Sequence, residues 1–200
     1  RPNWQCEKLE HDDVILKSIN EKKYKIKNIE TSKPNPMLLE VFNNIFMSIA
    51  EQMGIVLENT AQSVTIKERL DFSCAVFDKK GDLIANAPHM PVHLGSMDAS
   101  VKAIILKNKI IKKGDVYALN APYHGGTHLP DITVIKPIFH PSRDEILFFV
   151  AARGHHTDVG GLTPGSMPPD SREIEDEGVY IDNFKLVQNG NFKKKEISDL

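Results

Sequence analysis

Histidines are concentrated in three short segments of this 200-residue chain. Six of the eight histidines lie there, and they are His89, His93, His124, His128, His155 and His156. Each segment flanks an apolar, strand-like stretch. Loops at strand ends present side chains to ligands, because the strand fixes the position of the side chain while the loop leaves it accessible. We therefore predict that histidine-bearing loops form a pocket.

Two of these segments combine imidazole with carboxylate. In THLPD (127–131) His128 stands three residues before Asp131, and in GHHTD (154–158) two adjacent histidines precede an aspartate. A set of His, Asp and His with open positions suits a divalent ion such as Mn or Zn, which lowers the pKa of bound water toward neutrality. The alternative is structural: the aspartate caps the next strand and the imidazoles bind backbone carbonyls. The spacing by itself favours neither interpretation.

Other residues in or near these segments could contact a ligand. Gly125 and Gly126 allow close approach of the backbone to an anion, although most such glycines only form turns. The proline-rich segment 88–94 carries two histidines and would serve as a stiff pocket wall or as a plain connector. Arg69, in the charged run 67–71, would neutralise a substrate carboxylate or phosphate, or belong to a solvated face.

Helices and strands must position these residues. Apolar residues at steps of three and four predict an amphipathic helix over 36–58, and a second helix is expected from Ser96 through Leu106. Short apolar runs predict strands at 72–77, 83–85, 116–119, 132–138 and 146–152. The order of elements shows no βαβ alternation. We predict an α+β fold of mixed helices and mainly antiparallel strands, forming an incomplete domain.

Composition narrows the classes of function. A net charge of −2 provides no basic field for nucleic acid or an anionic membrane, and no apolar run approaches the ~20 residues of a membrane span. The two cysteines, Cys6 and Cys74, are far apart in sequence, which favours a reducing compartment, and we expect a cytoplasmic protein. The chain has no Gly-x-Ser-x-Gly or P-loop motif, which argues against a serine hydrolase and a self-contained nucleotidase.

Taken together, the motifs resemble the hydantoinase B/oxoprolinase family. The resemblance is carried by FMSIAEQMG (46–54), IKERLDFSCAVFD (66–78), NAPHMPVHLGSM (86–97), GGTHLPDITVIKP (125–137) and ARGHHTDVGGLTPGSMPPDS (152–171). The stretches NPMLLEVFNNIF (35–46) and FKLVQNGNF (184–192) look like the oxoprolinase branch. The resemblance implies that residues 34–200 are the N-terminal portion of a hydantoinase B-like domain. Residues 1–33 would be a linker, or the tail of a preceding hydantoinase A-like domain.

The family's activity would be the ATP-dependent opening of 5-oxo-L-proline to L-glutamate, a step of glutathione turnover. The resemblance implies a hydantoinase A-like partner that binds ATP with Mg, a small cyclic amide as substrate, and further copies of the chain in a homo-oligomer. This half would carry the hydrolysis and would be inactive alone. The alternatives are a subunit of an N-methylhydantoin-type amidohydrolase, or a non-catalytic module that braces the ATP-using half.

The same resemblance implies a metal site, and the residue patterns described above supply the remaining candidates. A divalent metal, Mn or Zn, would be held by His128, Asp131 and His155, with His156 as the alternative to its neighbour. The catalytic candidates near the substrate are His156, His124, His89 and His93. The candidates for contact with the substrate are Arg69, Gly125 and Gly126.

Overall fold

The computed structural model describes the backbone of residues 4–8 and 14–18, and backbone and side chains of residues 35–165 and 167–199. The chain divides into two units, Arg1–Asn35 and Pro36–Leu200. In the first unit, strands β1 (Trp4–Lys8) and β2 (Val14–Ser18) pair in antiparallel fashion. The interpretation of residues 1–33 as a linker or as the tail of a preceding domain stays a prediction.

In its described part, the second unit contains four α-helices and one sheet of seven strands. The helices are α1 (Pro36–Thr60), α2 (Val64–Lys67), α3 (Pro91–Lys107) and α4 (Lys194–Ser198). The strands are β3 (Phe72–Asp78), β4 (Leu83–Asn86), β5 (Val116–Leu119), β6 (Asp131–Phe139), β7 (Ile146–His155), β8 (Phe184–Gln188) and β9 (Asn191–Phe192). The strand order is β4-β3-β7-β6-β5-β8-β9, with every pairing antiparallel. The predicted α+β fold is therefore confirmed.

The predicted elements differ from the structure at two functionally important ends. Helix α3 begins at Pro91 rather than at Ser96, because a proline tolerates the first helical position, where its missing N–H has no partner to lose. Strand β7 continues through His155, because that residue still pairs with the first residue of β6. The prediction that the histidine segments are loops is therefore wrong for His93 and His155, which lie on a helix and a strand.

The two faces of the sheet have different cores. The first contains residues of α3 and of β3, β5, β6 and β7: Ala75, Phe77, Met97, Val101, Ile104, Tyr117, Leu119, Ile135, Phe149 and Ala151. On the other face, Ala50 of α1 is buried with Val76, and half-buried Phe46 and Phe148 pack there edge to face. Side chains alternate between the faces along each strand, so one strand supplies both cores.

Two buried groups complete the core. Cys74 lies within β3, and burial raises the pKa of its thiol to about 12, which fits an inert packing residue. At the start of β5, the buried carboxylate of Asp115 accepts hydrogen bonds from Lys185 Nζ at 2.9 Å and from the Asn189 N–H at 2.9 Å. These bonds tie β5 to β8. None of the described helices has both the length and the apolar character that a membrane span requires.

Candidate metal centre

Strand pairing brings a carboxylate and an imidazole together at one end of the sheet. Asp131 is the first residue of β6, and it lies directly opposite His155, the last residue of β7. Opposed residues of an antiparallel pair point to the same face, so both side chains project from one face. His128 enters from the short turn before β6, where the Asp131 N–H donates to the His128 carbonyl at 3.0 Å.

Three potential ligand atoms converge there. His128 Nε2 lies 3.0 Å and His155 Nδ1 lies 2.8 Å from the same Asp131 oxygen, Oδ1. The two ring nitrogens are 3.2 Å apart, and the rings stack with centroids separated by 5.0 Å. His128, Asp131 and His155 are named here the His–Asp–His cluster.

The geometry of the cluster fits a divalent cation. Its three ligand atoms form a triangle with sides of 2.8, 3.0 and 3.2 Å. An octahedron with metal–ligand bonds of about 2.1 Å has edges of about 3.0 Å, so the triangle matches one octahedral face. Two imidazole nitrogens and one carboxylate oxygen are a donor set suited to Mn or Zn. The remaining positions would be open to water or substrate.

Electrostatics keep the carboxylate ionised. Asp131 is only 3% exposed, and this burial acts to raise its pKa. Hydrogen bonds from His128, Thr127 and His155 outweigh the burial and hold the pKa of Asp131 well below its usual range. In return, the hydrogen bond to Asp131 raises the pKa of His128. The Thr127 hydroxyl donates to Oδ2 of Asp131, which leaves Oδ1 directed at the two imidazoles.

Two further residues border the cluster. The ring of His93, on the first turn of α3, places Nε2 3.5 Å from Asp71 Oδ1 and 3.7 Å from Asp131 Oδ1. His93 is buried, and that burial lowers its pKa, which favours a neutral ring. Among the described residues, its Nδ1 has no hydrogen-bond partner. Asp71 was not singled out by sequence analysis, because its only signal was membership of a charged run.

The structure distinguishes the two adjacent histidines of β7. His155 faces Asp131, whereas His156 lines an apolar cavity of about 560 Å³ together with Ile132 and Gly154. Successive residues of an extended chain point to opposite faces, which separates the two rings. Burial, followed by the neighbouring His155, lowers the pKa of His156. Of this pair, His155 is the residue brought to the cluster.

His89 and Arg69 lie around a different cavity, of about 470 Å³, whose lining includes none of the cluster residues. Nδ1 of His89 accepts the Cys74 N–H at 3.1 Å, and its ring packs against Phe72 at 4.9 Å between centroids. A Cβ on Gly54 would lie 2.6 Å from that ring, so the helix and the imidazole are in close contact. These contacts give His89 a packing role, and its predicted catalytic role stays a prediction.

His124 and the two glycines that follow it lie beside α3. His124 Nδ1 is 3.2 Å from Asp182 Oδ2, whose carboxylate also binds Lys107. Gly125 has a φ of +89°, and a Cβ there would lie 2.2 Å from a backbone nitrogen of α3. A Cβ on Gly126 would lie 2.3 Å from a backbone oxygen. Close packing explains both glycines, and their contact with substrate, like catalysis by His124, stays a prediction.

Sequence analysis also missed Arg153, a fully buried arginine two residues before His155. Burial lowers its pKa to about 10, so the guanidinium remains charged at neutral pH. The available signal was a cation in the otherwise apolar strand sequence ILFFVAARG (146–154).

Comparison with known proteins identifies the family. Residues 35–200 match the family model described as Hydantoinase B/oxoprolinase. This chain belongs to the hydantoinase B/oxoprolinase family. The resemblance predicted from the sequence stretches is thereby confirmed.

Relatives of this hydantoinase B/oxoprolinase chain include named enzymes. The 5-oxoprolinase of Dictyostelium discoideum is 50% identical over 168 residues, which cover 84% of this chain but 13% of that protein. A crystal structure of ATP-dependent caprolactamase from Pseudomonas jessenii is 30% identical, with a TM-score of 0.72 over 84% of this chain and 29% of that one. Nucleotide-free acetone carboxylase has a TM-score of 0.75 at 21% identity, over 82% of this chain and 22% of that one, and shows the shared fold.

Proposed function

We propose that this chain is part of an ATP-dependent 5-oxoprolinase and carries the ring-opening hydrolysis of activated 5-oxo-L-proline to L-glutamate. The observation that supports this most directly is the convergence of His128, Asp131 and His155 on one point. The chain that carries them is 50% identical over 168 residues to a named 5-oxoprolinase. The activity would belong to glutathione turnover in the cytoplasm, in a homo-oligomer.

A partner must supply the ATP chemistry. A five-membered lactam is a resonance-stabilised amide, and transfer of a phosphoryl group to its oxygen makes the ring carbon electrophilic enough for water to attack. Attack by one water would break the ring C–N bond, with a proton passing to the nitrogen, and a second water would release inorganic phosphate. This chain carries no P-loop motif, so a hydantoinase A-like domain or subunit would bind ATP with Mg and perform that transfer. The present chain would then exclude bulk water from the activated ring and direct the attacking water.

The His–Asp–His cluster would hold the divalent metal, Mn or Zn. When bound there, such an ion polarises a carbonyl oxygen and lowers the pKa of a coordinated water. The Thr127 hydroxyl donates to Asp131 Oδ2, and this bond is compatible with a bound ion because it leaves Oδ1 and the two imidazole nitrogens to act as ligands. Nε2 of His93 lies 3.5 Å from Asp71 Oδ1 and 3.7 Å from Asp131 Oδ1, so its ring would hold a proton at the edge of the cluster while Asp131 stays ionised. We assign His93 the role of holding or moving a proton beside the His–Asp–His cluster.

A second candidate function is hydrolysis of a different lactam. The similarity to caprolactamase supports a lactam as the substrate, but it leaves open a ring other than 5-oxoproline. An N-methylhydantoin-type amidohydrolase would act on a cyclic ureide through the same chemistry. A non-catalytic module would keep the histidines only for packing against the ATP-using half.

Substrate profiling of the intact protein with its ATP-using partner tests the proposal. We expect ATP hydrolysis and glutamate formation that depend on 5-oxoproline. The His128→Ala variant should lose turnover while its circular dichroism is unchanged, and the His140→Ala variant, altered in the β6–β7 turn, should keep it. Turnover of hydantoins or caprolactam without 5-oxoproline would refute the substrate. Loss of activity only in proportion to lost stability would refute the catalytic role.

A further inference from the structure

Arg153 is fully buried, yet every N–H of its guanidinium has an acceptor. Nε donates to Thr133 Oγ1 at 2.7 Å. The first terminal nitrogen donates to the His93 carbonyl at 3.1 Å and to Ser96 Oγ at 2.7 Å. The second donates to Ser100 Oγ at 2.7 Å and to the Gly125 carbonyl at 2.8 Å. These five bonds match the five donors of the side chain.

The partners of Arg153 lie on the segments that carry the residues of the site. Arg153 itself precedes His155 by two residues on β7. Thr133 follows Asp131 by two residues on β6, and Gly125 precedes His128 by three. The carbonyl that accepts on α3 belongs to His93 itself. Arg153 therefore links its own strand, β7, to the three other segments that carry the imidazoles and the carboxylate.

All five acceptors are neutral hydroxyl or carbonyl oxygens. A buried arginine would ordinarily be paired with a carboxylate, because an unpaired buried charge is costly. The guanidinium of Arg153 instead provides N–H donors in fixed directions within one plane. A lysine ammonium would place its three donors on a single nitrogen atom. Arg153 is therefore suited to hold these segments at fixed distances from one another.

We propose that Arg153 is the positioning residue of the metal centre: its fork fixes the segments bearing the ligands His128, Asp131 and His155 at the separations that a divalent ion requires, and it holds His93 beside them. This inference rests on the proposed metal centre. In known sites, groups that hydrogen-bond metal ligands orient them, and their loss weakens metal affinity by about 10- to 100-fold. Arg153 would orient the ligands through the segments that carry them, and we expect an effect in the same range.

Cobalt(II) binding to the intact protein tests the proposal, because its visible absorption reports ligand geometry independently of turnover. We expect Arg153→Lys to weaken cobalt affinity by about 10- to 100-fold and to change the absorption bands. Because a buried substitution can prevent folding, Ser96→Ala provides a milder test: it removes one acceptor and should weaken affinity in the same direction. Arg143→Lys, on an exposed arginine paired with Glu145, is the matched control and should bind as the wild type does.

The outcomes separate the inference from the proposed function. A wild-type protein that binds cobalt while Arg153→Lys and Ser96→Ala keep its affinity and spectrum, with only lower thermal stability, would overturn the positioning role alone. A folded wild-type protein that binds no cobalt would overturn the proposed metal centre, and the positioning role with it.

Discussion

Gly125 provides a sharp test of the packing that holds the loop before His128 against α3. Its φ of +89° lies in the left-handed region, and a Cβ would lie 2.2 Å from the Ser100 nitrogen and 2.4 Å from the Ala99 carbonyl carbon. Both are backbone atoms of a helix, so no change of rotamer can relieve the overlap. Gly125→Ala should therefore displace the loop from α3 and break the 2.7 Å hydrogen bond from Ser100 Oγ.

The magnitude follows from two contributions. A left-handed conformation costs a residue with a Cβ about 1–2 kcal/mol. Overpacking against a rigid neighbour adds about 1–3 kcal/mol. The expected loss in the free energy of unfolding is therefore about 2–5 kcal/mol. Gly190 is a matched control, because its φ is +85° and a Cβ there would meet no atom within 4 Å. Gly190→Ala should lose only the conformational contribution.

Urea denaturation followed by circular dichroism measures both variants. We expect the free energy of unfolding of Gly125→Ala to lie at least about 1 kcal/mol below that of Gly190→Ala. Equal stabilities of the two variants would refute the argument, because the contact with α3 would then contribute nothing beyond the backbone conformation.

Two further predictions concern the core, and the second includes a control on the helix surface. Asp115→Asn removes a buried carboxylate whose pKa is lowered: burial acts to raise it, but an N–H donor and a lysine ammonium outweigh that effect. Its contribution to stability is full above the unfolded pKa of about 3.9 and is lost as pH falls through the lower folded value, so thermal melts should show the wild-type advantage shrinking below about pH 4. An advantage independent of pH would contradict this. Gly54→Ala should lower the melting temperature through the clash with His89, whereas Gly95→Ala, on open helix surface, should raise it. A change in melting temperature of the same sign for both variants would contradict the expected clash.

Local pattern was enough to predict most of the fold. The apolar periodicity of α1 and the short apolar runs of the sheet depend on neighbours in sequence, and these elements are present in the structure. The ends of α3 and β7 were misplaced, because the helix begins at a proline and the strand is extended by pairing with β6. Such pairing depends on a partner segment that local sequence does not reveal.

Part of the candidate site could also be predicted from local sequence. His128 and Asp131 are three residues apart, so their proximity follows from local spacing. Strand register brings His155 to them, and the extended chain turns its neighbour away. Asp71 and Arg153 reach the site through contacts between segments distant in sequence, which residue type and spacing do not encode.

The central claim is that the His–Asp–His cluster holds a divalent ion. Elemental analysis of the purified intact protein tests it most directly, with circular dichroism to show that each variant is folded. We expect near-stoichiometric Mn or Zn in the wild type and in His156→Ala, and its loss in His128→Ala, Asp131→Ala and His155→Ala. A folded, active enzyme without metal, or cluster variants that retain the ion, would contradict it.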